Sequence, residues 1–522
     1  MAGQSHDPAN PVYPDFNPGK VLRCGLAVLS GAIAPLAFSP NNMWLLGFFS
    51  VMGLYVSLKH TNTRLGAITS WWYGLGFFGV GVSWVYVSIH DYGNAGELLA
   101  GFLTVAFVAG LAFFFVLQGW VLQRWFNRSA YLFSFAALWI LGEWFRGWFL
   151  TGFPWLYLGY PHAHSAFAGI APIFGVMGIS LVVALTGAGF GEMFLCWHRT
   201  RSLYAVARTY VPTGLFFLWI AGSLTSQLEW VTPLAGETVS VGIVQADIEQ
   251  GRKFDRAFIE ENLDRYETLS ADLWNNDIVV WPETAIPYIY DPDGDVVSYF
   301  DAEASSHGTA LVTGIFGQTE AGIHNSIVSL GNGSGLYHKQ KLVPFGEYVP
   351  LRSVLSSLLQ IFELPMSSLE KGPSGQYLLQ AGDYTLAPFI CYEVVYPDFV
   401  RNHAHRADFL VTISNDTWFG ASWGPLQHLE MAAMRALENG RYVVRATNNG
   451  VSAIIDEKGN IVSRTEQFTE ATLEGEVQKF DGVTPFSHWG SYPLLVLCVL
   501  WLAVAGRAGG MLARLVVRLR QH

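Results

Sequence analysis

The sequence predicts a polytopic α-helical membrane bundle of eight spans, into which a separate α/β domain is inserted. Three observations lead to this fold class. Of the 522 residues, 51% are hydrophobic and only 14% are charged, whereas about a quarter of the residues of soluble proteins are charged. Eight stretches are apolar enough to form helices that cross hydrocarbon. The remaining block, residues 225–490, combines 35 Asp and Glu with 16 Lys and Arg, which is typical of a domain in water.

Seven of the predicted spans precede the acidic block and one follows it. A helix needs roughly 20 apolar residues to cross the bilayer, and the predicted spans are 21–38, 43–58, 65–89, 98–125, 131–150, 170–196, 204–224 and 492–512. The chain therefore divides into an N-terminal membrane domain of seven helices, an outer domain, and a C-terminal span with a basic tail. Their bounds are 1–224, 225–490 and 491–522.

Basic residues orient the bundle. Lys and Arg in short loops are retained on the cytoplasmic side, and 13 of the 14 Lys and Arg outside the acidic block lie on one side of an eight-span arrangement. Both termini are therefore predicted to be cytoplasmic, and the acidic domain to lie outside the cytoplasm. Nucleic-acid binding is not expected, because the only excess of positive charge flanks apolar spans.

One charged pair lies inside a predicted span. Glu143 and Arg146 are three residues apart in the fifth span, a spacing that puts both on one helix face. A buried ion pair is one interpretation. A site for a lipid headgroup or substrate is the other, because ionisable residues at membrane depth are expensive and usually functional.

The outer domain shows short β-rich runs separated by turn residues, with two helical stretches. The predicted strands are 239–246, 277–281, 309–316, 325–330, 336–342, 384–391, 409–414, 442–446 and 451–455. The predicted helices are 253–274 and 426–437. This mixture indicates one α/β domain with its own core.

The helix predicted at 426–437 and the residue directly after it carry four side chains that invite a metal or relay interpretation: His428, Glu430, Arg435 and Glu438. Polarity of an exposed helix face, with local ion pairing, explains them at least as well. No set of His, Asp and Glu has convincing metal spacing, and the four Cys residues form no metal motif. We therefore expect neither a metal nor a cofactor.

Polar clusters at strand ends supply the candidate catalytic residues. Cys391 ends an apolar strand and is the only cysteine of the acidic domain. An attacking thiol needs a base and a group that stabilises developing charge, and Glu283 at another strand end is a candidate base. Lys339 and Lys341 are the only Lys or Arg between positions 266 and 351. Because they are two residues apart on a predicted strand, both side chains face the same side of the sheet. Spacing alone therefore does not show which of the two lysines belongs to the site.

These residues lie in motifs that resemble those of the nitrilase superfamily. When the membrane spans and the segments 412–420 and 447–450 are also considered, the chain resembles one branch of this superfamily in particular, the membrane-bound apolipoprotein N-acyltransferase family. The resemblance covers nearly the whole chain. The motifs are Trp281-Pro282-Glu283-Thr284-Ala285, Tyr337-His338-Lys339, Pro344-Phe345-Gly346-Glu347 and Ile390-Cys391-Tyr392-Glu393.

The resemblance implies that the outer domain is a nitrilase-like α-β-β-α sandwich and that three residues act in catalysis. Cys391 is then the nucleophile, Glu283 the general base, and Lys339 the cation that stabilises the tetrahedral intermediate. The family lysine lies eight residues before the glutamate of Pro-Phe-Gly-Glu, here Glu347, which selects Lys339 over Lys341. The resemblance also implies four supporting residues. Tyr392 supplies its backbone N–H to the oxyanion site, and the other three are Glu347, Glu393 and Asn325.

The resemblance also implies the reaction. An acyl chain passes from a membrane glycerophospholipid, expected to be phosphatidylethanolamine, to a thioester on Cys391. It then passes to the α-amino group of the N-terminal diacylglyceryl-cysteine of an apolipoprotein, in a ping-pong sequence. We accordingly expect a monomer in the bacterial inner membrane with a periplasmic catalytic domain.

Substrate contacts are predicted at three places. Phe254 stands where the family commonly has Trp, so packing against an acyl chain is kept while an indole hydrogen bond is lost. The stretch 354–366, with Leu358 and Phe362, is interpreted as a mobile lid. Trp418 lies in a second apolar stretch. Both stretches have an alternative interpretation as core segments.

Two other function classes fit parts of the sequence. A membrane-tethered amidase or esterase has the same catalytic residues but resolves the thioester with water, and eight spans argue against it because one span suffices as a tether. A polytopic transporter predicts paired polar groups across the bundle, whereas only Glu143 and Arg146 are placed that way. It also leaves the Glu, Lys and Cys motifs unexplained.

Overall fold

A computed structural model describes residues 15–93, 95–126, 130–344, 346–348 and 369–519, the last helix with side chains up to residue 506. The predicted lid, 354–366 with Leu358 and Phe362, lies outside the described residues. Its role remains a prediction.

A helix occurs at each predicted span, and the third and seventh spans are each divided between two helices. The helices that precede the outer domain are α1 (Lys20–Ile33), α2 (Leu45–Leu58), α3 (Thr63–Gly81), α4 (Val85–His90), α5 (Glu97–Trp125), α6 (Tyr131–Arg146), α7 (Ala171–Thr200), α8 (Leu203–Ala207) and α9 (Tyr210–Thr225).

Within the described part of the chain, three helical stretches are long and apolar enough to cross a membrane: Lys20–Ala37, Glu97–Trp125 and Ala168–Thr200. Leu45–Leu58, Tyr210–Thr225 and Tyr492–Gly506 are shorter apolar helices. The count of eight spans stays a prediction.

The outward face of α5 is apolar. Leu98 is 93% exposed, and Phe102, Val105 and Phe113 are also exposed. An exposed apolar face of this extent is unusual in a soluble protein and suits contact with lipid.

Glu143 and Arg146 are both buried in α6. Both form hydrogen bonds with the backbone of the loop that follows, and Glu143 Oε1 also accepts from Trp139 Nε1 at 3.1 Å. Glu143 Oε1 accepts from the N–H of Leu158 at 2.9 Å, and Arg146 Nη1 donates to the carbonyl of Phe153 at 3.1 Å. The two charges therefore hold the loop between α6 and α7 against the bundle.

The outer domain contains all nine predicted strands, although the first begins at Thr232, seven residues before its predicted start, and four further strands were not predicted. The strands are β1 (Thr232–Gln245), β2 (Ile278–Val280), β3 (Ala310–Thr319), β4 (Gly322–Gly331), β5 (Gly333–Ser334), β6 (Leu336–His338), β7 (Leu379–Ala381), β8 (Tyr384–Ile390), β9 (Phe409–Ser414), β10 (Val443–Thr447), β11 (Ala453–Ile455), β12 (Ile461–Arg464) and β13 (Ala471–Asp481).

The helices of the second half are α10 (Gln250–Lys253), α11 (Ile259–Ser270), α12 (Asp295–His307), α13 (Pro397–Ala404), α14 (Gly424–Asn439), α15 (Pro485–Trp489) and α16 (Tyr492–Leu519). The prediction of one helix over 253–274 is wrong in its first turns. There the Asp255 carboxylate accepts a hydrogen bond from the N–H of Ala257 at 3.0 Å, a local bond that competes with the helix.

The strands form two mixed sheets that face each other. Their orders are β13-β1-β2-β3-β4-β6 and β12-β11-β10-β9-β8-β7-β5. Residues such as Val241, Val280, Val411 and Ile413 fill the space between the sheets. Side chains of α11 and α12 pack on the outer face of the first sheet, and those of α13 and α14 on the outer face of the second. The predicted α-β-β-α sandwich is confirmed.

The α13 and α14 layer is shared with the membrane bundle, because their buried side chains belong to one continuous core with those of α1 to α7. Trp155 Nε1 donates to Gln427 Oε1 at 2.6 Å, and the N–H of Val176 donates to Glu438 Oε1 at 2.7 Å. The outer domain therefore docks on the bundle through buried hydrogen bonds as well as apolar contacts.

The interpretation of α14 as a helix with an exposed polar face is wrong. His428 is 1% exposed, and Arg435 and Glu438 are fully buried. The expected local ion pairing is confirmed, since Arg435 Nη2 lies 2.9 Å from Glu438 Oε1. These polar side chains are buried because the bundle covers the helix face that the sequence alone would leave in water.

Candidate active site

The site forms where the ends of three strands meet. Glu283 follows β2, Lys339 directly follows β6, and Cys391 directly follows β8. Strands β2 and β6 belong to the first sheet and β8 to the second. The packing of the two sheets against each other therefore brings together residues that are far apart in the chain.

Lys339 is the buried cation of the site. Its Nζ lies 2.8 Å from Glu347 Oε1 and 3.3 Å from Glu283 Oε1. Burial disfavours its charge, but the carboxylates of Glu347 and Glu283 outweigh burial and raise the pKa of Lys339. Lys339 therefore stays protonated between two acids.

Lys341 does not share the position of Lys339, because β6 ends at His338. The rule that residues two apart on a strand face the same side therefore does not apply to these two lysines. Lys341 is half-buried and its Nζ lies 5.1 Å from the ring centre of Tyr396. Of the two lysines that spacing left open, the structure brings Lys339 to Glu283.

Hydrogen bonds orient both carboxylates. Asn325 Nδ2 donates to Glu283 Oε1 at 2.7 Å and to Glu347 Oε1 at 3.1 Å. The backbone N–H of Asn415 donates to Glu283 Oε2 at 2.7 Å, and that of Val343 to Glu347 Oε2 at 2.8 Å. Charge-assisted bonds of this kind are short and strong, so Glu283 has little freedom to turn away from the site.

Cys391 occupies a strained turn between β8 and a 3₁₀ turn, Cys391–Val395. Its φ is 51°, a left-handed conformation that is uncommon for residues other than Gly and recurs at functional sites. Burial and the charge of Glu283 raise the pKa of Cys391, while Lys339 opposes them. The resting thiol is therefore protonated, and attack requires a base.

Glu393 joins the cysteine turn to the lysine turn. Its Oε1 accepts from Tyr337 Oη at 2.9 Å and from the N–H groups of Gln340 and Lys341 at 2.6 and 3.1 Å. Its Oε2 accepts from the N–H of Ile390 at 2.9 Å. Burial raises the pKa of Glu393 to about 7. Glu393 thus supports the geometry of both turns.

Lys253 is a second buried lysine, which the sequence analysis did not recognise. Its Nζ donates to the backbone carbonyl of Glu283 at 2.6 Å, and burial lowers the pKa of Lys253 to about 8. Its neighbour Phe254 was predicted to contact substrate, but Lys253 was not. No spacing links positions 253 and 283, because their contact arises from the pairing of β1 with β2.

A cleft of about 730 Å³ adjoins the site, and both Phe254 and Trp418 line it. Asn415 connects the cleft to the site, since its Nδ2 donates to Gln250 Oε1 at 2.8 Å and its N–H binds Glu283. The lining combines aromatic rings with carboxylates: Tyr92, Phe254, Trp418, Phe468, Asp91, Asp247, Glu249 and Asp255.

The loops around Cys391 contact the bundle directly. Tyr392 Oη donates to the carbonyl of Gly152 at 3.1 Å, and Tyr396 Oη to that of Thr151 at 3.0 Å. Ser88 Oγ donates to the carbonyl of Trp418 at 2.7 Å. The site therefore lies beside the apolar helices.

Within the described ranges, no group of three or more His, Cys, Asp and Glu side chains is arranged to hold a metal ion. A thiol, a carboxylate base and a buried cation are instead the groups that covalent acyl chemistry uses. The two-sheet fold with these groups at its strand ends is that of the carbon-nitrogen hydrolase class, joined here to a bundle of apolar helices.

Comparison with known proteins agrees with this class and narrows it. Residues 190–481 match the carbon-nitrogen hydrolase model, and residues 30–189 match the N-terminal domain model of apolipoprotein N-acyltransferases. The apolipoprotein N-acyltransferases of Pseudomonas syringae pv. tomato and Pseudomonas putida are 44% and 46% identical to this chain. Each alignment covers 92% of this chain and 96% of the relative. The chain belongs to the apolipoprotein N-acyltransferase family, and the protein is an acyltransferase.

Among solved structures, a CN-hydrolase superfamily protein of Xanthomonas campestris is similar over 46% of this chain and 90% of its own, with a TM-score of 0.36 and 20% identity. The family assignment does not rest on this similarity.

Proposed function

We propose that this protein transfers an acyl chain from a membrane glycerophospholipid to the α-amino group of the diacylglyceryl-cysteine that begins an apolipoprotein. The names of its relatives support the acceptor. The observation that carries the chemistry is the position of Cys391, partly buried beside the Glu283–Lys339 pair and next to the apolar bundle. Phosphatidylethanolamine is the donor that we propose.

The first half-reaction forms a thioester. Glu283 takes the proton of the Cys391 thiol as the sulfur attacks the ester carbonyl of the phospholipid. Lys339 and the backbone N–H of Tyr392 stabilise the oxyanion of the tetrahedral intermediate. The intermediate collapses with cleavage of the ester C–O bond, and the leaving alkoxide of the lysophospholipid takes the proton from Glu283.

The second half-reaction transfers the acyl group to nitrogen. The neutral α-amine of the acceptor attacks the thioester carbonyl, and Glu283 takes a proton from the attacking nitrogen. The second tetrahedral intermediate expels the Cys391 sulfur, which recovers its proton from Glu283, and an amide is released. Because the thiol of Cys391 has a raised pKa, it is restored as a neutral group.

The membrane bundle matters because both substrates carry acyl chains. Each buried CH₂ group contributes roughly 0.8 kcal/mol, so a site in bulk water would have to extract both lipids at a large cost. We propose that the protein lies in the bacterial inner membrane with both termini cytoplasmic and the catalytic domain periplasmic. We also propose that it acts as a monomer, since one chain supplies every proposed catalytic group.

We propose that the cleft beside Glu283 receives substrate. Its four carboxylates favour a cationic group such as an ammonium, and its rings favour both an acyl chain and a cation. Replacing Phe254 or Trp418 with Ser should raise KM for the lipid substrates more than it lowers kcat. Tyr377, which is 92% exposed, provides a matched control, and Tyr377→Ser should leave both constants unchanged. A loss confined to kcat would argue against substrate binding in the cleft.

The experiment that tests the proposed function separates a transferase from a hydrolase. Detergent-solubilised protein is incubated with a phospholipid labelled on its acyl chain and a diacylglyceryl-cysteine peptide. We expect label to appear on the peptide as a hydroxylamine-resistant amide, and not on the same peptide with an acetylated amine. Release of labelled fatty acid at the same rate with either peptide would instead support an amidase or esterase.

A further inference from the structure

The backbone carbonyl of Cys391 is held from behind by a buried histidine. His428 lies in α14, is 1% exposed, and its Nε2 is 3.2 Å from the carbonyl oxygen of Cys391. A carbonyl oxygen only accepts hydrogen bonds. Nε2 therefore carries a proton and donates it to this carbonyl, whether the imidazole is neutral or charged.

Buried groups on every side hold the imidazole of His428 in place. Its Nδ1 lies 3.0 Å from Asp416 Oδ1 and 3.1 Å from Arg445 Nη2. Arg445 also lies 2.5 Å from Asp416 Oδ2, and the ring of Trp155 packs against the imidazole. Burial and the charge of Arg445 lower the pKa of His428. In either protonation state Nε2 donates to the Cys391 carbonyl. The neutral ring accepts from Arg445 at Nδ1, and the charged ring donates from Nδ1 to Asp416.

This hydrogen bond also constrains the next N–H along the chain. The peptide unit between Cys391 and Tyr392 is planar and trans, so its C=O and N–H point in opposite directions. A donor that holds the Cys391 carbonyl on one side therefore sets where the Tyr392 N–H points on the other. The first N–H groups of a helical turn have no carbonyl partner inside that turn, which makes the Tyr392 N–H available to a developing oxyanion.

We propose that His428 is a positioning residue for acyl transfer: by holding the Cys391 carbonyl, it aims the Tyr392 N–H at the oxyanion. Asp416 and Arg445 in turn hold the imidazole, and the strained φ of 51° at Cys391 is maintained by the same contact. The inference rests on the proposed role of Cys391 as the nucleophile. It adds a function for α14 that the reaction steps do not include.

Two rates measured on the full-length protein in detergent test the inference. One is the rate at which Cys391 takes up label from an acyl-labelled phospholipid, which passes through an oxyanion. The other is alkylation of Cys391 by iodoacetamide, located by peptide mass, which displaces iodide at a saturated carbon and forms no oxyanion. His428→Leu should lower kcat for acyl uptake by about 10-fold to 100-fold, less than the 10²–10³ that follows complete removal of an oxyanion donor. KM should stay the same, and alkylation should change by less than about threefold.

A second pair of variants keeps the test decisive if His428→Leu does not fold. Gln places its amide nitrogen about as far from the backbone as the imidazole Nε2, whereas Asn is one CH₂ shorter. His428→Gln should retain most of the rate of acyl uptake. His428→Asn should lower that rate by the same factor as His428→Leu. Equal rates of acyl uptake in Gln and Asn would overturn the inference.

His403 in α13 is the matched control, because it is also buried and its Nδ1 lies 3.1 Å from the backbone carbonyl of Phe399. His403→Leu should leave the ratio of acyl uptake to alkylation unchanged. The inference is overturned if His428→Leu acylates at the wild-type rate, or if alkylation falls in parallel with acylation. A wild-type protein that takes up no acyl label at Cys391 would contradict the proposed function instead.

Discussion

At the scale of single residues, the site depends on one cation held between two carboxylates. The motif that carries Lys339 could be recognised in the sequence, but residue spacing left Lys339 and Lys341 equivalent. The structure separates them because β6 ends at His338. Lys339 is then 1% exposed beside Glu283 and Glu347. Lys253 could not be predicted, because its hydrogen bond to the Glu283 carbonyl joins the end of α10 to the loop after β2, which only the folded sheet brings together.

Replacing Lys339 with Met should reduce both activity and stability. The substitution removes the proposed oxyanion cation, so acyl transfer should fall by about 10² or more. It also leaves two buried carboxylates without their cation, a change that typically costs about 3–5 kcal/mol. Acyl transfer in detergent and thermal unfolding measure the two effects.

Lys341→Met is the matched control for this prediction. Lys341 is two residues away and packs over the Tyr396 ring. Its replacement should change the rate of acyl transfer by less than about threefold and the free energy of unfolding by about 0.5 kcal/mol or less. Equal losses in the two variants would show that the Glu283–Lys339 contact has no special role.

At the scale of secondary-structure elements, α14 shows where reasoning from sequence failed. The apolar residues of α14 predict a helix with one face in the core, which the structure confirms. The polar residues predict that the opposite face lies in water, as for a helix at a protein surface. The structure buries that face against the bundle, and the partners of its polar groups come from distant parts of the chain. Gln427 binds Trp155 and Glu438 binds Val176. Periodicity detects a helix and its apolar stripe but carries no information about a second covering layer.

Two glutamates of α14, the partly buried Glu430 and the fully buried Glu438, should respond to replacement with Gln in opposite ways at pH 8. Burial raises the pKa of Glu430 to about 8, far above the value near 4.3 of an unfolded chain. Between these two values the folded protein binds the extra proton, so this residue makes the protein less stable as pH rises. Glu430→Gln removes that dependence, so the variant should gain stability over wild type from pH 5 to pH 8.

Burial raises the pKa of Glu438 to about 7, so its carboxylate is ionised at pH 8, and there Glu438→Gln should destabilise the protein. Arg435 lies 2.9 Å from Glu438 Oε1, and loss of the carboxylate leaves a buried guanidinium without its charged partner, at a typical cost of about 3–5 kcal/mol. Thermal unfolding of both variants in detergent at several pH values provides the measurement. The same response in both would mean that the pairing of Glu438 with Arg435 does not matter.

At the scale of the whole molecule, the bundle and the sandwich form one continuous structure. The apolar stretches of the sequence coincide with helices, and the strand patterns coincide with the two sheets, because each follows from a local periodicity. How the two parts dock could not be predicted from such patterns. The contacts of Tyr392 and Tyr396 with the loop after α6 place the cysteine turn directly on the bundle.

The proposed topology predicts which cysteines a membrane-impermeant maleimide can reach. In a protein whose native cysteines are replaced by Ser, Cys introduced at Lys458, which is exposed in the outer domain, should be labelled in intact spheroplasts. Cys introduced at Arg199, at the end of α7, should be labelled only after lysis. The reverse pattern would show that the catalytic domain faces the cytoplasm.

The most direct test of the central claim is to look for the acyl-enzyme. Purified protein is mixed with an acyl-labelled phospholipid without acceptor, quenched in acid, digested and analysed by peptide mass. We predict one acyl group on the peptide that contains Cys391, removable by hydroxylamine and lost with formation of an amide when the acceptor peptide is added. Cys391→Ala should carry no label. Label on Cys391→Ala, or acyl transfer by wild type without any adduct on Cys391, would contradict the thioester mechanism.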